Sequence, residues 1–101
     1  MISVSYRAKD DYVLELRVSG HADFAKSNEL DLVCACVSSI VIGGLNQIAD
    51  DKNYVMTVKS GDVMVNVLKT NTIDNSVIMT IITQLKTLET KYSKNINVKN
   101  L

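Results

Sequence analysis

The sequence has no proline, four glycines and one histidine in 101 residues. Without proline, its turns must be built from Asp, Asn, Ser and Lys, whose short polar side chains or tolerance of turn backbone suit the task. No apolar run approaches the ~20 residues needed to span a bilayer, so no membrane segment is expected. The opening stretch, MISVSYRAKDD, is alternating and polar and does not read as a secretory signal. The reading is therefore a cytoplasmic protein whose two cysteines are reduced. Lys+Arg and Asp+Glu are 11 each, so no broad basic surface exists for nucleic acid. Four tyrosines and one phenylalanine, unclustered, make a poor base-stacking surface. There is no phosphate-binding glycine loop: Gly43-Gly44 lies inside a helical pattern, not after a strand. No cofactor motif is present.

What is there suits one globular unit over residues 1–101. The hydrophobic fraction is 47 % and the charged fraction 22 %. A chain of this length buries roughly 60–70 % of its extended surface, enough for one core.

Ile2, Val4 and Tyr6 alternate with Ser3, Ser5 and Arg7, the period of a half-buried strand. After the turn Ala8-Lys9-Asp10-Asp11, Leu14, Leu16 and Val18 alternate with Glu15 and Arg17, completing a hairpin. From Asp31 the period becomes helical: Val33, Val37, Ile40, Val41, Gly44, Leu45 and Ile48 form one stripe. Asp31 is the candidate N-cap, and the helix is expected to end near Asp50 to Asn53. Gly44 on the stripe suggests either a close approach to the sheet or simply a weaker helix. Tyr54, Met56 and Val58, then Val63, Val65 and Val67, make a second hairpin around Ser60-Gly61-Asp62. A second helix is expected from about Asp74 to Tyr92, and Asn95 to Lys99 is a candidate last strand. The order ββαββα, with that final strand, predicts an α+β two-layer sandwich: a mostly antiparallel sheet carrying two helices on one face.

All the histidine and cysteine chemistry falls in one stretch, GHADFAKSNELDLVCACVSS, from Gly20 to Ser39. It could be a cysteine nucleophile with its base, a metal site, or a helix with buried cysteines. At about 100° per residue, Asp31, Cys34 and Ser38 share one flank within about 60°. Cys36 lies about 160° round from Cys34, so the two thiols diverge and make neither a disulfide nor a shared metal site. Zinc would need two ligands beyond His21 and Cys34, and no second histidine exists. If Asp31 is the N-cap, Cys34 sits in the first turn, where free N–H groups favour a thiolate and could also hold an oxyanion. His21, thirteen positions earlier at a strand end, could be folded over it by the intervening loop and activate it. By pattern alone, a cysteine in an apolar helix is more often a small buried hydrophobe. A single loop histidine is more often solvated, Asp31 serves as a plain cap, and Ser38 is a helix-flank residue.

Gly20-His21-Ala22, followed by Asp31-Leu32-Val33-Cys34-Ala35 and Ser38, resembles the ribosomal-processing cysteine protease family (Prp). The resemblance covers essentially the whole chain in length, element order and motif position. It implies a homodimeric α+β peptidase that removes a short N-terminal extension from large-subunit ribosomal protein twenty-seven, cutting after an aromatic residue. It also implies that Cys34 is the nucleophile and His21 the general base. Asp31, Ser38 and Gly20 match the family's acidic, serine and glycine positions. The partner implied is that ribosomal extension, held as an extended peptide along the second strand or a loop edge. No cofactor, metal, membrane or direct nucleic-acid partner is implied. The loop ADFAKSNEL, Ala22 to Leu30, contains no glycine where relatives usually have some. That departure motivates a second reading: a catalytically inactive ribosome-associated binding module of the same fold.

Overall fold

The computed structural model of the chain describes residues 1–20, 28–48 and 52–101. In chain order these form β1 (Ile2–Lys9), β2 (Tyr12–Ser19), α1 (Asn28–Leu45), β3 (Tyr54–Lys59), β4 (Asp62–Val67), α2 (Thr72–Lys91) and β5 (Ile96–Asn100). The strands make one sheet in the order β3-β4-β2-β1-β5. All pairings are antiparallel except β1 with β5, which run parallel in the register Ile2↔Ile96. This is the expected α+β architecture, including the last strand.

Strand alternation supplies one wall of the core. Ile2, Val4 and Tyr6 of β1 and Val63 and Val65 of β4 are buried. They meet Val33, Val37, Val41 and Leu45 of α1 and Ile78, Ile81, Ile82 and Leu85 of α2 in a single apolar cluster. Because α1 and α2 also pack on each other, both helices lie on that one face of the sheet. The opposite face carries the intervening polar residues, such as Arg7 paired with Glu15 at 3.1 Å.

Strand β2 departs from simple alternation. Arg7 faces Glu15 but Ala8 faces Val13, so Leu14 is the extra residue of a bulge. The core positions of β2 are therefore Val13, Leu16 and Val18, while Leu14, expected inside, is only half-buried. In β3 the expected inward residues Tyr54 and Met56 are half-buried, but Val58 is 55 % exposed. Strand β3 closes one side of the sheet, so fewer neighbours cover it.

Both helices shift relative to their periodicity. Helix α1 begins at Asn28, three residues before Asp31, because Glu29 and Leu30 are good helix formers that extend it beyond the apolar stripe. It ends at Leu45. Gln47 N–H and Ile48 N–H then bond to Gly44 O and Leu45 O, a tightened final turn that still buries Ile48. Helix α2 starts at Thr72 because Asn71 caps it: the Asn71 side chain accepts from Asp74 N–H at 2.9 Å. The Asp74 carboxylate accepts from Asn71 Nδ2 at 2.8 Å and from the Tyr54 hydroxyl at 2.6 Å, tying that cap to β3.

The close approach at Gly44 is to the other helix. A Cβ built on Gly44 would lie 2.5 Å from Cδ1 and Cγ1 of Ile81. Gly44 thus lets α1 settle on α2, not on the sheet.

Candidate active site

Between α1 and the adjacent strand ends lies a cavity of about 380 Å³. Its helical wall is the flank on which Cys34, Ser38, Val41 and Ile42 recur at helical spacing. Its sheet side is formed by Ile2, Val18 and Val63, with Gly20 at the end of β2 and the Ser60–Gly61 turn between β3 and β4. The lining is mostly aliphatic, with thiol and hydroxyl groups supplied by the helix.

Cys34 is half-buried, packs against the core and faces this cavity. Ser38, one turn further on, faces it too. Cys36 is half-buried and is absent from the lining, in agreement with the helical offset. The two thiols occupy different environments although one residue separates them.

The start of α1 alters two expectations. Asp31 is the fourth residue of the helix, not its N-cap, and Cys34 is the seventh. The N–H groups without intrahelical acceptors lie before Asp31, and the dipole's effect fades within the first turn. Cys34 therefore lies beyond the turn where a helix start would hold a thiolate or an oxyanion.

Gly20 adopts φ +98°, a conformation that side chains rarely tolerate. Its N–H donates to the Gly61 carbonyl at 3.0 Å, and a Cβ on it would lie 2.4 Å from the Met1 carbonyl oxygen. The strand end is thereby pinned between the first residue of the chain and the β3–β4 turn. His21, bonded to Gly20, lies outside the described residues, as does most of the expected loop at Ala22 to Leu30. Its last three residues, Asn28 to Leu30, are helical.

Asp62, at the start of β4, also borders the cavity. Its Oδ1 is out of contact with solvent and makes no hydrogen bond, but lies 3.4 Å from Arg17 Nε. The rest of the carboxylate is exposed to solvent, the side chain being 41 % accessible. In the sequence, Ser60, Gly61 and Asp62 read only as a turn. Their place at the cavity depends on β4 pairing with β2, which no local pattern announces.

The expectation that a peptide could pair with the second strand is not met. Strand β2 is hydrogen-bonded to β1 on one side and β4 on the other, so it has no free edge. No helix of the described residues is long and apolar enough to cross a membrane.

No curated protein matches the chain. Among solved structures, the chain is similar to the essential ribosomal processing protease Prp from S. aureus in complex with a substrate peptide. The TM-score is 0.88 at 24 % identity, covering 100 % of both chains. The same protease with a covalently linked product peptide gives a TM-score of 0.83 at 24 % identity, again over 100 % of both chains. A protein from Streptococcus mutans gives 0.78 at 16 % identity, covering 100 % of this chain and 94 % of the other. At these identities the likeness establishes the fold. The family model of the cysteine protease Prp matches residues 1–97. With that model spanning nearly the whole sequence, the chain belongs to the Prp cysteine protease family.

Proposed function

We propose that the protein is a cysteine endopeptidase with Cys34 as nucleophile and His21 as general base. The observation that carries this reading is that Cys34 and Gly20, the residue bonded to His21, line one cavity. His21 takes the Sγ proton, and the thiolate attacks the scissile carbonyl carbon, forming the S–C bond. Collapse of the tetrahedral intermediate breaks the C–N bond, with His21 protonating the leaving amine. Water, deprotonated by the same imidazole, then cleaves the thioester and restores the thiol. Cysteine needs less activation than serine, so a dyad suffices. Asp31 and Ser38 act as supporting residues; Ser38 faces the cavity beside Cys34.

The family resemblance supports the N-terminal extension of large-subunit ribosomal protein twenty-seven as substrate, and a cytoplasmic homodimer as the working form. The solved relative bound to a substrate peptide supports a peptide occupant for the cavity. Incubating the protein with the extended ribosomal protein and resolving products by mass tests the proposal. Cleavage is expected for the wild type and none for Cys34→Ala or His21→Ala. Full activity in Cys34→Ala would sink the mechanism. Binding of the extension without cleavage by the wild type would instead identify a binding module.

A further inference from the structure

We infer that the outer edge of β3 is the track on which the peptide substrate lies, paired by backbone hydrogen bonds to Val58 and Met56. This rests on the protease reading for the identity of the occupant. The sheet has two outermost strands, and they differ. On β5, the outward Val98 N–H is taken by Glu89 Oε2 at 2.6 Å and the outward Ile96 N–H by Tyr92 O at 3.2 Å, so that edge is blunted. On β3, among the described residues, no strand pairs on the outer side.

The phase of the β3–β4 hairpin identifies which groups point outward. Lys59 and Asp62 flank the two-residue turn, and Asn53 O accepts from Leu68 N–H at 2.7 Å. Hydrogen-bonded pairs therefore recur at Asn53, Val55, Thr57 and Lys59. The N–H and C=O groups of Tyr54, Met56 and Val58 point away from β4, toward the open side. The same three residues direct their side chains to the helix face. Val58 borders the cavity that holds Cys34. An extended chain added at this edge would thus turn every second side chain toward the helix face. Its backbone would run past the cavity mouth, as strand-addition recognition requires.

The occupant could instead be the β3 edge of a second copy, and the test separates the two. The probe is a fluorescent peptide spanning the N-terminal extension of ribosomal protein twenty-seven, bound to the Cys34→Ala protein so that cleavage plays no part. Val58→Pro deletes the outward N–H and leaves the β3–β4 ladder intact, a position where edge strands tolerate proline. It should weaken binding about tenfold more than Val58→Ala, which trims the side chain and keeps the donor. Single N-methylation along the peptide should weaken binding at alternate residues only, and that scan needs no protein variant should Val58→Pro misfold. Equal affinity of the two variants, an N-methyl scan without a period of two, or no peptide binding at all would overturn the inference. So would dissociation of a dimer by Val58→Pro with peptide affinity unchanged. Edge-dependent binding in a chain whose wild type never cleaves the peptide would leave the inference standing and remove only the protease reading.

Discussion

Gly20 donates its N–H to the carbonyl of Gly61 at 3.0 Å, joining the end of β2 to the turn between β3 and β4. This bond links the residue before His21 to a turn that borders the cavity facing Cys34. It makes the geometry of the proposed dyad depend on a hairpin distant in sequence. Replacing Gly20 with Ala adds a Cβ at φ +98°, within 2.4 Å of the Met1 carbonyl oxygen. Left-handed backbone costs an alanine about 1–2 kcal/mol, and the clash adds about 1–3 kcal/mol. Urea denaturation of Gly20→Ala should show a loss of about 2–5 kcal/mol. Cleavage should fall further than the loss of folded protein explains.

The two neighbouring glycines of α1 should respond in opposite directions. Nothing lies within 4 Å of a Cβ on Gly43, so Gly43→Ala should gain about 0.5–1 kcal/mol from helix propensity. At Gly44 the same gain meets buried Ile81 at 2.5 Å, and overpacking of about 1–3 kcal/mol outweighs it. Thermal melts of the two single variants check the sign directly. Equal stabilisation by both would mean that α1 and α2 separate without cost.

The turn between β1 and β2 holds two non-glycine residues at positive φ, Asp10 at 54° and Asp11 at 69°. Two-residue hairpin turns of this kind favour glycine at the second position. Asp11→Gly should therefore stabilise the fold by about 0.5–1 kcal/mol, read as a higher urea midpoint. The Asp11 carbonyl that accepts from Asn75 Nδ2 at 3.0 Å is retained in the variant.

Cys36 supplies the control for the nucleophile. It lies on α1 away from the cavity lining, so Cys36→Ala should keep kcat/KM within about twofold of the wild type. A loss comparable to that of Cys34→Ala would contradict the assignment of separate roles to the two thiols.

Glu89 gives a test on the far side of the sheet. Its carboxylate accepts the Val98 N–H at 2.6 Å, and Glu89→Ala leaves that partly buried donor without its acceptor. The expected cost is about 1–2 kcal/mol in chemical denaturation, with Glu89→Gln, which keeps an acceptor, losing less. Activity of the folded fraction should not change.

Period-two and helical patterns were legible wherever one face of an element is buried. Thus Ile2, Val4 and Tyr6 read as a strand, and Val33, Val37 and Val41 as a helix stripe, without reference to anything distant. Boundaries were less legible. Asp31 looked like a cap because the apolar stripe begins just after it, yet backbone propensity carries α1 back to Asn28. The bulge at Leu14 was invisible because alternation in the sequence continues through it. Its position is set by pairing with β1.

By itself the sequence determined the element order, the two hairpins and the divergence of Cys34 from Cys36. These follow from short-range geometry that repeats every two or 3.6 residues. Only the tertiary structure decided that β2 lies between β1 and β4, that Gly44 serves helix–helix contact, and that the Ser60–Gly61 turn shares a cavity with Cys34. Each of those depends on contacts between residues dozens of positions apart, which local periodicity does not encode.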